Sequence, residues 1–172
     1  LMERAVSDIK DKFGSTVYAS QAGLLLAQML HEKDRADDAQ TQLQWVVEHG
    51  SDDGYQAVAR LRLSAILMDK KQNEAARQLL QAKMPSAYQA LAQDRLGDLA
   101  MLEGKKSDAI GFYQSAWKAM DERAEYRRLL EIKLASLGVA TKARRATQLQ
   151  DAFKVQGVPA LGIAGRFYTD GG

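Results

Sequence analysis

The sequence has no cysteine, only two prolines and no long apolar run. Without cysteine, the chain cannot form disulfides or thiolate metal sites, and it cannot carry out thiol catalysis. Both prolines lie after residue 84, so the first half is free of the strongest helix breaker, which favours an all-α protein. No segment approaches the roughly 20 apolar residues that a membrane-spanning helix needs.

The charge is nearly balanced, with a formal net charge of +2 over 172 residues. No block of Lys and Arg interleaved with aromatic residues occurs, which argues against nucleic-acid binding. With 46% hydrophobic and 27% charged residues, the chain can bury one sizeable core beneath a soluble surface.

Residues 96–116 have the pattern of two helices joined by a turn. Apolar residues recur at helical spacing up to Leu102, a polar stretch covers 104–107, and a second apolar stripe begins at Ala109. The segment resembles the tetratricopeptide repeat (TPR) signature, although the early Trp of that signature is replaced by Gln93. The matching residues are Leu96, Gly97, Ala109, Tyr113 and Ala116.

The pattern returns at a nearly fixed period, as a repeat protein requires. A step of 34 residues back from Ala109 reaches Ala75, and a further 36 residues reach Ala39, each preceded by a polar turn. The sequence therefore predicts an all-α, TPR-like α-solenoid of about three helical hairpins. It also predicts a flanking N-terminal helix that ends at a Gly14 cap, and a C-terminal helix that runs from an Asp121 N-cap to about Leu137.

The composition changes after residue 138, so we predict a TPR-like domain over 1–138 and a separate tail over 139–172. The tail opens with a basic amphipathic stretch and ends in short apolar runs broken by glycine. The latter part is typical of a β-hairpin with a Gly turn, so the tail is predicted to be partly extended.

Residues 1–138 as a whole resemble the periplasmic domain of the YfgM family, ancillary subunits of the bacterial SecYEG translocon. The resemblance lies in STVYASQAGLLLAQ, HGSDDGYQAVARLRLSAIL, YQALAQDRLGDLAMLEGK and EIKLASLG, in this order. It implies a periplasmic domain at the inner membrane, attached through a spanning helix that is absent from this chain. The implied partners are the translocon, a PpiD-like chaperone and unfolded or emerging polypeptides.

The tail is similar to the cis-proline region of DsbA-like thiol oxidoreductases, through the segment FKVQGVPALGIAGRFYTDG. Because the Cys-x-x-Cys of that family is missing, its activity is not implied, and the junction suggests a fusion. Two alternatives to the translocon role stay open: a fragment or fusion of such an oxidoreductase, and a generic TPR adaptor. We expect part of the tail to lie on a TPR surface like a client peptide, through Phe153, Val158, Pro159, Leu161, Ile163, Phe167 and Tyr168.

Residues that could support catalysis have simpler explanations. His31 and His49 fall at predicted helix ends, and paired carboxylates such as Asp52-Asp53 fall in turns or first helical turns, where caps and helix dipoles account for them. No phosphate-binding glycine loop, nucleophile elbow or metal-ligand spacing is present. The sequence predicts a protein that is not an enzyme and has no cofactor or metal.

In TPR proteins the first helix of each hairpin lines a concave face that can bind peptides. Carried over residue by residue, the signature predicts a groove of mixed charge that is partly apolar and suited to varied apolar segments. The alternative is that these side chains simply cover a solvated helix face. The predicted groove residues are Gln21, Leu24, Gln28, Arg60, Ser64, Leu67, Asp94, Asp98 and Met101.

Overall fold

A computed structural model describes residues 1–139, and these residues form eight α-helices and no strand. The helices are α1 (Met2–Phe13), α2 (Val17–Glu32), α3 (Ala36–His49), α4 (Asp53–Asp69), α5 (Asn73–Gln81), α6 (Ser86–Leu102), α7 (Lys106–Ala119) and α8 (Tyr126–Ser136). Consecutive helices pack on one another from α1 to α8, and α4 also contacts α2 and α6. The all-α solenoid predicted from the sequence is confirmed.

Three hairpins, α2–α3, α4–α5 and α6–α7, share one turn geometry. Each turn contains a residue with a positive φ: Asp34, Lys71 or Gly104. The amide of the next residue donates to the carbonyl five residues earlier, at 2.9, 2.8 and 2.8 Å respectively. The same arrangement ends α8, where Gly138 has a φ of +83° and the Val139 amide donates to the Leu134 carbonyl at 2.9 Å. These four positions give the register of the repeats, and α8 ends in the same way as the first helices of the three hairpins.

The predicted register of the second repeat is wrong by one residue. The alanine that packs between the helices of each hairpin lies five residues after the positive-φ position, and Ala39, Ala76 and Ala109 are all fully buried there. Ala75, which the predicted period aligns with Ala109, is exposed. Ala75 and Ala76 are neighbours with the same side chain, so the local sequence does not show which of them is buried. The packing of α5 on α4 decides it.

Two helix ends also differ from the predictions. Gly14 follows α1 with a φ of −56°, a right-handed conformation, so it does not form the left-handed cap that a terminal glycine usually provides. The last helix begins at Tyr126, five residues after the predicted N-cap, Asp121. The Asp121 carboxylate instead accepts a hydrogen bond at 2.8 Å from the amide of Arg123, two residues on, which stabilises a turn.

The core runs along the solenoid as three clusters of buried side chains. One surrounds Leu43 and Leu63 in the first two hairpins, a second contains Leu80 and Leu96, and the third lies where α7 meets α8. Burying each large aliphatic side chain contributes about 1.5–3 kcal/mol. Because each hairpin buries its apolar face against the next, the repeats hold one another in place.

Several predictions concern residues outside the described range 1–139. They include the extended tail, its β-hairpin and the client-like segment formed by Phe153, Val158, Pro159, Leu161, Ile163, Phe167 and Tyr168. They remain predictions.

Candidate peptide-binding surface

A cleft of about 380 Å³ opens between α2, α4 and α6, the first helices of the three hairpins. Its floor is apolar and its rim is polar. The lining residues are Ala27, Gln28, His31, Leu43, Leu61, Arg62, Ala65, Ile66, Asp69 and Arg95. A cleft with an apolar floor and a few polar side chains at its edge can hold a peptide segment, since the floor binds side chains and the rim binds polar groups.

Two arginines give the cleft its charge. Arg62 on α4 reaches towards α2, where its Nη1 donates to the Leu24 carbonyl at 3.3 Å. Arg95 on α6 lies 3.9 Å from the Asp98 carboxylate, beyond hydrogen-bonding distance. Asp69 is the acidic residue of the lining. Most guanidinium donors of both arginines therefore stay available to a ligand.

Exposed large apolar side chains have an uneven distribution over residues 1–139. Four lie on the first helices of the repeats and on α8, where Leu25 is 51% exposed, Leu102 64%, Leu129 40% and Ile132 59%. Five more lie at the N-terminal end: Leu1, Met2, Phe13, Val17 and Tyr18. The second helices α3, α5 and α7 have none in that set. The apolar surface suited to binding is therefore on the side of the first helices and at the N-terminal end.

A buried ionic network ties α8 to α6 at the C-terminal end of the surface. Asp94 is only 1% exposed, and it accepts hydrogen bonds from Tyr126 Oη at 2.6 Å and Lys133 Nζ at 2.7 Å. Lys133 Nζ also donates to Asp98 at 2.6 Å, and Tyr113 Oη donates to Asp98 at 2.7 Å. Burial, together with these carboxylates, raises the pKa of Tyr113 and of Tyr126 above the ordinary value. The two acidic side chains are thus occupied in holding α8.

The structure separates the predicted groove residues into exposed and buried groups. Gln21 and Gln28 are exposed, and Gln28 lines the cleft. Arg60 turns away from the cleft, since its Nη1 donates to the Lys83 carbonyl at 3.0 Å. Asp98 and Met101 are partly buried. The buried members are Leu24, Ser64, Leu67 and Asp94, with exposed fractions of 7%, 0%, 6% and 1%.

The sequence reasoning missed Arg62, Arg95 and the small residue Ala65, all of which line the cleft. The one-residue error in the second repeat explains Ala65, because Ser64 was projected onto the position that belongs to Ala65. Arg62 and Arg95 both lie nine residues before the turn residue, at a position that the projected groove did not include. The turn segments would have supplied the missing signal. Counting from Asp34, Lys71 and Gly104 aligns the repeats at intervals of 37 residues (34 to 71) and 33 residues (71 to 104).

Metal-binding clusters and membrane-spanning helices would be two further signs of function in the described part of the chain. No cluster of His, Asp and Glu in residues 1–139 could hold a metal ion. No helix in the same range combines the length and the apolar character required to cross a membrane.

The chain belongs to the tetratricopeptide repeat-like domain family, which it matches over residues 1–139. It is also similar to two proteins named ancillary SecYEG translocon subunit. The one from Neisseria gonorrhoeae (strain ATCC 700825 / FA 1090) is 29% identical over 132 residues, which cover 77% of this chain and 63% of the relative. The one from Escherichia coli (strain K12) is 29% identical over 125 residues, which cover 71% of this chain and 59% of the relative.

The chain therefore spans about three-fifths of the length of these relatives. The family and the relatives together support a role in protein–protein interaction.

Proposed function

We propose that this chain is the non-catalytic protein-binding domain of an ancillary translocon subunit, and that it holds segments of other proteins in the cleft between α2, α4 and α6. The observation that carries the proposal is the cleft itself, with its apolar floor and polar rim on the first helices of the repeats. Exposed apolar side chains on the same helices extend the binding surface beyond the cleft.

The ligands we propose are unfolded or emerging polypeptides and a PpiD-like chaperone, with SecYEG as the membrane partner. The names of the two relatives support the translocon as the site of action. We also propose the periplasmic face of the inner membrane as the location, which the YfgM resemblance implies. A mixed lining suits several partners, because an apolar floor accepts varied side chains while the rim supplies few fixed contacts.

Site-specific photocrosslinking in the membrane-anchored protein tests this function. A photoreactive residue would replace Gln28, which is exposed and lines the cleft. The matched control replaces Gln44, an exposed glutamine on α3. We expect position 28, and not position 44, to crosslink to a secretory polypeptide arrested during translocation. Equal crosslinking at both positions, or none at position 28, would contradict the proposal.

A further inference from the structure

The four helices α2, α4, α6 and α8 each carry one side chain at the same register position before the turn. Leu25, Arg62, Arg95 and Leu129 each lie nine residues before a positive-φ turn residue, on α2, α4, α6 and α8 respectively. Equivalent positions of successive repeats face the same side of a solenoid. We call these four residues the Leu-Arg-Arg-Leu row.

All four side chains of the row are accessible. Leu25 is 51% exposed and Leu129 is 40% exposed, so both ends of the row present apolar surface to solvent. Arg62 is exposed, and the Arg95 side chain is 42% exposed. Within residues 1–139, Arg62 forms no ion pair, and the only carboxylate within 4.0 Å of the Arg95 guanidinium is that of Asp98, at 3.9 Å.

The carboxylates near the row offset the charge of its arginines only in part. Asp98 and Asp94 accept hydrogen bonds from Lys133 Nζ at 2.6 and 2.7 Å, so one cation is shared between two carboxylates. The pair keeps one negative charge, and Asp98 lies 3.9 Å from Arg95 without a hydrogen bond between them. Asp69 lines the same cleft and offsets part of the positive charge. The middle of the row is left with two guanidinium groups, whose planar donors suit carboxylates.

The separation of the helices sets the length of a ligand that spans the row. Packed helices lie about 8–10 Å apart, so four neighbouring helices place Leu25 and Leu129 roughly 24–30 Å from each other. An extended chain advances about 3.3 Å per residue. A segment of about eight to ten residues therefore spans the row, with successive contacts about three positions apart.

We propose that the Leu-Arg-Arg-Leu row binds an extended polypeptide segment with apolar residues at both ends and two acidic residues between them. The apolar ends cover Leu25 and Leu129, and the acidic residues pair with Arg62 and Arg95. This inference rests on the proposed function and specifies the class of segment that the domain selects. The charge of the arginines supplies the selectivity, because apolar contacts alone distinguish poorly between sequences.

Binding of fluorescent ten-residue peptides to the full chain, followed by anisotropy, tests the inference. The probe carries Leu at positions 1 and 10, Glu at positions 4 and 7, and Ser or Ala elsewhere. Two further peptides carry Gln or Lys at positions 4 and 7, and a scrambled peptide exchanges the Leu and Glu positions. We expect the Glu peptide to bind about tenfold more tightly than the Gln peptide, and we expect the Lys peptide to bind least. Raising the salt from 50 to 500 mM should weaken the binding of the Glu peptide and reduce its advantage over the Gln peptide.

Protein variants assign the effect to the row. Arg62→Gln with Arg95→Gln should abolish the preference for Glu over Gln, whereas Leu25→Ser with Leu129→Ser should weaken all the peptides. The matched control, Arg4→Gln with Arg123→Gln, removes the same charge from exposed positions on α1 and in the α7–α8 connection and should keep the preference. Circular dichroism checks that each variant is folded.

Several results would overturn the inference. These are equal binding of the Glu and Gln peptides, equal binding of the scrambled peptide, and a Glu preference that survives the double arginine substitution. Tighter, arginine-dependent binding of anionic lipid vesicles or single-stranded RNA would assign the row to another class of ligand. In each case crosslinking at position 28 could still occur, so failure of this inference and failure of the proposed function are distinguishable.

Discussion

Gly97 on α6 lies directly against the ring of Tyr113 on α7. A β-carbon added at residue 97 would lie 2.4 Å from Cε1 of Tyr113 and 2.5 Å from its Cδ1, closer than carbon atoms approach in proteins. Tyr113 cannot easily move aside, since it is 3% exposed and its hydroxyl donates to Asp98. This contact sets how closely the two helices of the third hairpin pack.

The first prediction concerns this contact. Gly97→Ala should lower the free energy of unfolding by about 1–3 kcal/mol, because the new methyl group overpacks the hairpin. Gly111→Ala on α7 is the matched control: its β-carbon would meet nothing within 4 Å, and alanine should raise stability by about 0.5–1 kcal/mol through its higher helix propensity. Urea denaturation measures both. Equal changes in the free energy of unfolding for the two variants would show that residue 97 and the Tyr113 ring are not in close contact.

The second prediction tests the register of the repeats. Ala76→Asp should destabilise the protein by about 3 kcal/mol or more, because it places an unpaired charge between packed helices at a fully buried position. Ala75→Asp makes the same chemical change one residue earlier, at an exposed position in the first turn of α5, and should alter stability by less than about 0.5 kcal/mol. Thermal unfolding distinguishes the two. A larger loss of stability for Ala75→Asp than for Ala76→Asp would support the register predicted from the sequence.

The third prediction concerns the network that attaches α8. Lys133→Met leaves the carboxylates of Asp94 and Asp98 without their shared cation, and should cost about 3 kcal/mol. Lys118→Met, at an exposed position on α7, should change stability by less than about 0.5 kcal/mol. Adding Asp94→Asn to Lys133→Met should lose less than the sum of the two single changes, since the pair interacts directly. Additive losses in urea denaturation would contradict the network.

The fourth prediction is a pH dependence at Lys10. Burial lowers the pKa of Lys10 to about 8, and its Nζ lies 4.4 Å from the centre of the Trp45 ring. In the unfolded chain the pKa is about 10.4, so between pH 8 and pH 10 the unfolded state binds more protons than the folded state. Stability should therefore rise with pH in this window.

Comparison with Lys10→Met isolates the contribution of Lys10. From pH 7.5 to pH 9.5, the free energy of unfolding of the wild type should rise relative to that of Lys10→Met. The free energy of unfolding of Lys118→Met should change with pH as that of the wild type does. Parallel pH profiles for the wild type and Lys10→Met would show that Lys10 keeps an ordinary pKa.

The sequence by itself determined the fold class. Apolar residues at helical spacing, polar turns and the near-regular return of small residues at Ala39 and Ala109 are local features, and each can be read without knowing what packs against it. The length and order of the hairpins followed from the same features. The family resemblance could also be recognised from the sequence, because it depends on the order of segments along the chain.

Only the tertiary structure decided which side of each helix is covered. Ala75 and Ala76 are equally suitable for burial by composition, and the packing of α5 on α4 selects Ala76. Asp94 has the composition of a surface residue, yet it is 1% exposed because α8 brings Lys133 and Tyr126 to it from 39 and 32 residues away. Arg62 and Arg95 face the cleft through a register set by the turns. Such contacts join residues far apart in sequence, so their energies depend on a geometry that local patterns do not contain.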